Sequence, residues 1–235
     1  MSWGRAALLA ALFGLAWWRW DARELYPLRI LVTLLHEFGH GLAALLSGGS
    51  IERITVDPGA GGVCYTRGGW RWLILPSGYL GSMAAGCAIL FIAARTRWDR
   101  ALSMSLGVAL VAATLLYVRT PVGLLYGVGS GLFLAAAGRR LGEAVNDLIL
   151  SFIGASSCLY ALLDLRHLLG LGKGANDAAM FSREIFPLPP LAWAALWSIL
   201  ALAALAFTLK ASLSSGMRVK AMRIGKGSSD SRVAP

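Results

Sequence analysis

His36-Glu37-Phe38-Gly39-His40 places two imidazoles and a carboxylate inside an apolar run at 28–46. Four residues apart on a helix, His36 and His40 share one face, the spacing two ligands need to reach a single zinc ion. Glu37 stands beside them, where it can take a proton from a nearby water as general base. The pattern uses two of the chain's three histidines. It also sets ionisable groups at a depth where burial is costly unless they have a partner or a task. The plainer alternative is a helix bundle in which both histidines merely pack or hydrogen-bond.

A catalytic zinc takes three protein ligands and keeps one position open, so the two histidines leave one ligand to find. Two aspartates compete. Asp164 lies in Tyr160-Ala161-Leu162-Leu163-Asp164-Leu165, an apolar setting in which an unpaired carboxylate is expensive. If the three runs between 72 and 137 all cross the bilayer, the helix of Asp164 points the same way as the motif helix and carries its acid at matching depth. Asp177 belongs to a polar connection at the same membrane face and would have to fold back onto the metal. Depth therefore ranks Asp164 first as third ligand, with Asp177 as the alternative. Against these stand a salt bridge from Asp164 to Arg166 or His167, ligation by His167 itself, and an ordinary helix-start role for Asp177.

The elements that must position these groups are membrane helices. Of 235 residues 57% are hydrophobic and 14% charged, a balance that excludes an ordinary soluble domain. Apolar runs fall at 6–18, 28–46, 72–94, 101–118, 122–137, 145–165 and 191–209. The fifth is short for a span and the first shorter still. The expected fold class is an all-α polytopic membrane protein, a bundle of six or seven transmembrane helices with a small β-hairpin after the metal-motif helix. The hairpin is read from Ile54-Thr55-Val56, a turn at 57–62, and Val63-Cys64-Tyr65-Thr66. Within the second polar connection, at 166–187, Asn176 is placed to cap a short amphipathic helix.

Residues 1–27 read as a retained N-terminal anchor, since the first run ends in the interfacial cluster Trp17-Trp18-Arg19-Trp20 rather than at a small-residue cleavage site. Residues 28–210 form the expected core. Residues 211–235, with Arg218, Lys220, Arg223, Lys226 and Arg232, read as a disordered basic tail held near anionic lipid. The net charge of +10 is spread over short loops and this tail, which marks topology and excludes a nucleic-acid partner. Cys64, Cys87 and Cys158 show no paired spacing, so neither a disulfide framework nor a thiolate metal site is expected. The expected location is a bacterial cell membrane.

With these residues in place the chain resembles the M50B-like branch of the site-2 protease family, intramembrane zinc metalloproteases. The resemblance runs from about His36 to Leu209. It rests on His36-Glu37-Phe38-Gly39-His40-Gly41, Gly48-Gly49, Thr66-Arg67-Gly68-Gly69, Pro76-Ser77-Gly78-Tyr79-Leu80-Gly81-Ser82, Tyr160 with Asp164, Asn176-Asp177-Ala178, and Trp193 with Trp197. It implies peptide hydrolysis within or beside the bilayer, with Zn2+ held by His36, His40 and a later aspartate, and Glu37 as base. The Leu-Asp-Gly motif in which better-studied members place their third ligand is absent. For a residue that polarises the substrate, Ser77, Tyr79 and Asn176 are the candidates.

Two functions of different class follow. In the first, a zinc peptidase acts on a membrane-anchored protein or peptide, whose unwound segment adds to an edge of the hairpin. In the second, a noncatalytic scaffold or an ion-coupled transporter keeps the fold and uses the buried His and Asp as a relay. Zinc content separates them, and a transporter should also show an inverted repeat, which the sequence lacks.

Overall fold

A computed structural model of the chain describes residues 18–96, 98–158, 160 and 176–229, with 11 and 14–16 before them, and side chains through 211. Helix α1, Tyr26–Leu46, follows a 3-10 turn at Arg23–Leu25 and has Pro27 in its first turn, where a missing N–H costs nothing. Its span is 61% buried, against 22% to 39% for the other candidate spans, so α1 is the centre of the bundle. Ile30 and Leu34 face Ile54, Val56 and Val118, while Leu31 meets Leu110, Leu134 and Ile153.

The expected hairpin follows. Strands β1, Ser50–Val56, and β2, Gly62–Arg67, pair antiparallel, with Ile54 opposite Cys64, Val56 opposite Gly62, and a register irregularity between Ile51 and Arg53. The Asp57 carboxylate closes the turn by accepting from the Gly59 and Gly61 N–H groups at 2.6 and 3.2 Å. The ribbon runs back along α1, whose side chains hold the turn: Tyr26 Oη donates to Pro58 O at 2.9 Å, Arg29 Nη2 to Gly59 O at 3.0 Å, and Thr33 Oγ1 to Ala60 O at 2.9 Å. Gly68 and Gly69 both take positive φ, 68° and 75°, to turn the chain out of β2, a conformation glycine adopts without steric cost.

Helices α2 (Arg71–Arg95), α3 (Asp99–Tyr117), α4 (Pro121–Arg140), α5 (Glu143–Cys158), α6 (Asp177–Glu184) and α7 (Pro190–Ser229) complete the described elements. Lipid is as apolar as a leucine side chain, so membrane helices associate through close packing of small residues. A Cβ on Gly86 of α2 would lie 2.4 Å from Gly154 O of α5, and one on Gly107 of α3 would lie 2.5 Å from Gly131 O of α4. The turn between α3 and α4 also reaches the ribbon: the Arg119 N–H donates to Ile54 O at 2.9 Å, and the Val56 N–H to Thr120 Oγ1 at 3.0 Å.

Among the described residues five helical segments are long and apolar enough to cross a membrane: Arg23–Leu46, Arg71–Arg95, Asp99–Tyr117, Pro121–Arg140 and Pro190–Ala211. The sequence reading expects six or seven. The run at 6–18 falls mostly outside the described residues, and that at 145–165 is described as helix over Glu143–Cys158 and at Tyr160, with the rest of the run outside them. The mostly helical character and the two-stranded sheet agree with the expected class. Past residue 211 α7 continues as helix through Ser229.

Candidate metal centre

Three side chains from two separate helices converge between α1, α2 and the ribbon. His36 Nε2 lies 3.0 Å from Asp177 Oδ2, His40 Nε2 lies 3.1 Å from the same oxygen, and the two Nε2 atoms are 3.1 Å apart. His36, Glu37 and His40 are all buried. Among the described residues this is the group of three His, Cys, Asp or Glu side chains able to share an ion.

The arrangement fits zinc on its own chemistry. Tetrahedral bonds of 2.0–2.1 Å would put donor atoms about 3.3 Å apart, close to the observed separations. His40 Nδ1 sits 2.6 Å from Ile74 O. A carbonyl can only accept, so Nδ1 carries a proton, and in the neutral ring Nε2 is the nitrogen left to bind a cation. Burial by itself would raise the Asp177 carboxyl, yet His40 and then His36 outweigh it and hold the group below the usual carboxylate range. Two imidazole nitrogens and a carboxylate oxygen thus converge on one point, a donor set that suits a cation.

Local sequence explains the closeness. Pro76 removes one backbone donor within α2, and in this turn Ile74 O accepts from both Ser77 Oγ, at 2.6 Å, and His40. Gly78 faces the ring nitrogens where any side chain would collide: a Cβ there would lie 2.4 Å from His40 Nε2 and 2.5 Å from His36 Nε2. Gly39, inside the motif itself, admits Ser77 O, which would stand 2.4 Å from a Cβ.

The third member arrives on α6. Asn176 caps that helix as expected, its side-chain oxygen accepting from the Ala179 N–H at 2.8 Å. Ala178 is wholly buried in a cluster with Tyr79, Ala194, Trp197 and Ala201, and Phe181 meets the Trp193 ring edge-on at 4.7 Å between centroids. Asp177, the first residue of α6, is thereby turned onto the two histidines. Asp164 and His167 lie outside the described residues.

A cavity of about 340 Å³ opens beside these atoms, bounded by His36, His40, Asp177, Glu37, the ribbon at Gly61 to Cys64, and Arg71. The Tyr79 and Tyr160 rings stand 4.7 and 4.8 Å from the His36 ring. The outer edge of β1 is occupied at Ile54 and Val56 by the α3–α4 turn. Antiparallel partners turn their free main-chain groups outward together, so Cys64 and Gly62 present theirs on the far edge of β2. That edge meets Glu37. A Cβ on Gly62 would lie 2.5 Å from Glu37 Oε1.

The family model described as Peptidase M50B-like matches residues 6–208. The chain belongs to the Peptidase M50B-like family. No curated protein and no solved structure matches it. Membership makes this M50B-like chain site-2 protease-like in general function and gives the five apolar helices the setting of a multi-pass membrane protein.

Of the candidates for polarising a substrate in this M50B-like chain, Tyr79 and Asn176 line the cavity, whereas the Ser77 hydroxyl is engaged by Ile74 O. The sequence reading missed three residues that shape the site. They are Ile74, whose carbonyl orients His40, and Gly62 and Gly78, which make room for Glu37 and the histidines. A signal existed for two of them, because Pro76 inside an apolar run marks a disturbed turn and Gly78 a close approach.

Proposed function

We propose that this M50B-like protein is a zinc-dependent intramembrane peptidase that cleaves an extended segment of a membrane-anchored protein or peptide. His36, His40 and Asp177 are its metal ligands and Glu37 its general base. One observation carries the reading: the three donor atoms stand 3.0 to 3.1 Å apart, with Glu37 next to His36 on the cavity side.

Zinc held there would supply Lewis acidity, lowering the pKa of a water and polarising a carbonyl. Glu37 accepts the proton of the attacking water and returns it to the leaving amine. Its burial keeps competing water away. The free edge of β2 can pair with an unwound substrate segment, laying its scissile bond across Glu37 and the ligand set. Tyr79 and Asn176, both on the cavity wall, are placed to donate to the carbonyl.

The test is Glu37→Gln in the full chain, assayed with a tagged single-span reporter in vesicles. The amide keeps the shape without the basicity, so zinc content should stay at that of wild type while cleavage falls by about 10² or more. Wild-type cleavage by Glu37→Gln would remove Glu37 from the chemistry.

A further inference from the structure

Asp177 and Glu184 are the first and last residues of α6. Seven residues make two helical turns to within about 20°, so both carboxylates leave the same face. One end of that face meets the histidines. The other meets Arg71, the first residue of α2, in a two-point fork: Nε to Oε2 at 2.9 Å and Nη2 to Oε1 at 2.8 Å. Toward α7, α6 rests on Ala178 and Phe181.

We propose that the Arg71–Glu184 fork is a positioning clamp for the ligand-bearing helix, holding the far end of α6 against α2 so that Asp177 stays on His36 and His40. The proposal rests on Asp177 being a metal ligand.

A helix of eight residues is too short to hold itself, so its pose depends on its attachments. The Asn176 cap ties α6 only to itself. Ala178, packed with Tyr79 and Trp197, is a pivot next to Asp177. Glu184 lies about 9 Å further along the axis and acts on a long lever. A turn of about 15° around Ala178 would shift the Asp177 carboxylate by about 1 Å, beyond the ±0.2 Å that metal ligation tolerates. A hold at Glu184 suppresses that turn. The planar guanidinium suits the role, because its two parallel bonds fix direction as well as distance. Both partners are nearly half exposed, at 46% and 42%, so the contribution is that of a well-formed surface pair rather than a buried one.

The experiment follows zinc release from the purified, zinc-loaded full chain into excess chelator with a colorimetric zinc indicator. Glu184→Gln and Arg71→Ala should each release zinc about fivefold faster than wild type. Arg71→Glu combined with Glu184→Arg should return to within about twofold, a rescue that loss of general packing does not give. Asp177→Asn is the reference. If it releases zinc fast while Glu184→Gln keeps the wild-type rate, the clamp is overturned and the ligand assignment stands. If Asp177→Asn itself keeps the wild-type rate, the ligand assignment falls and the clamp with it. An effect of Arg71→Ala without one of Glu184→Gln would make Arg71 a cavity residue acting alone, which also overturns the clamp.

Discussion

Gly78→Ala should empty the metal centre without touching a ligand. The added Cβ would lie 2.4 Å from His40 Nε2 and 2.5 Å from both Cε1 and Nε2 of His36. Non-bonded carbon and nitrogen atoms sit roughly 3.5 Å apart, so about 1 Å must be found. If the rings turn away, the donor atoms leave the common point. If α2 recedes, the 2.6 Å bond between His40 Nδ1 and Ile74 O opens and the tautomer that bares Nε2 loses its support. Either way the displacement is several times the ±0.2 Å that ligation tolerates. We expect zinc affinity to fall by about 100-fold or more, on a fold weakened by about 1–3 kcal/mol of overpacking. Gly129→Ala is the control, since its Cβ would have nothing within 4 Å. Metal analysis of detergent-purified protein after a chelator wash, with circular dichroism to confirm helix content, reads the result. A Gly78→Ala protein that keeps one zinc per chain with wild-type resistance to chelator would refute the packing argument.

Asp177→Asn should cut zinc occupancy more severely than Asp164→Asn, because Asp177 Oδ2 stands 3.0 and 3.1 Å from the two histidine Nε2 atoms; metal content of the two purified variants checks this. Gly62→Ala should retain zinc yet slow cleavage of the vesicle reporter, as its Cβ would stand 2.5 Å from Glu37 Oε1 and 2.8 Å from Glu37 Cγ; unchanged kcat would mean that Glu37 has room to move. Ligating imidazoles must be neutral, so acidification below the ordinary histidine range near pH 6.5 should release the metal, and back-titration with zinc should restore it.

What the sequence made legible is what depends on near neighbours along the chain. The spacing of His36 and His40, the alternation at Ile54-Thr55-Val56 and the capping role of Asn176 are all local, and each appears where its period or side-chain chemistry puts it. The approach of Asp177 is of another kind. Ranking Asp164 first weighs depth along a span, and Asp164 itself lies outside the described residues. What turns Asp177 inward is the burial of Ala178 among Tyr79, Trp197 and Ala201, residues distant in sequence. The role of Ile74 was hidden for a similar reason, since a main-chain carbonyl has no letter of its own. The span count depends on residues around 6–18 and 159–175, most of them outside the described part of the chain.

A two-stranded ribbon on its own is marginal, yet this one is fastened on three sides. Tyr26, Arg29 and Thr33 hold its turn, the α3–α4 turn holds β1, and Ile54 and Val56 are wholly buried. It therefore cannot swing as a flap, and it forms a fixed wall of the cavity. The far side of the cavity is built differently: α6 and α7 meet through aromatic rings, and among the described residues no main-chain bond ties them to the ribbon. Hydrogen exchange should separate the two, with the amides of 54–56 and 63–65 exchanging as slowly as those of α1 and the amides of α6 opening first.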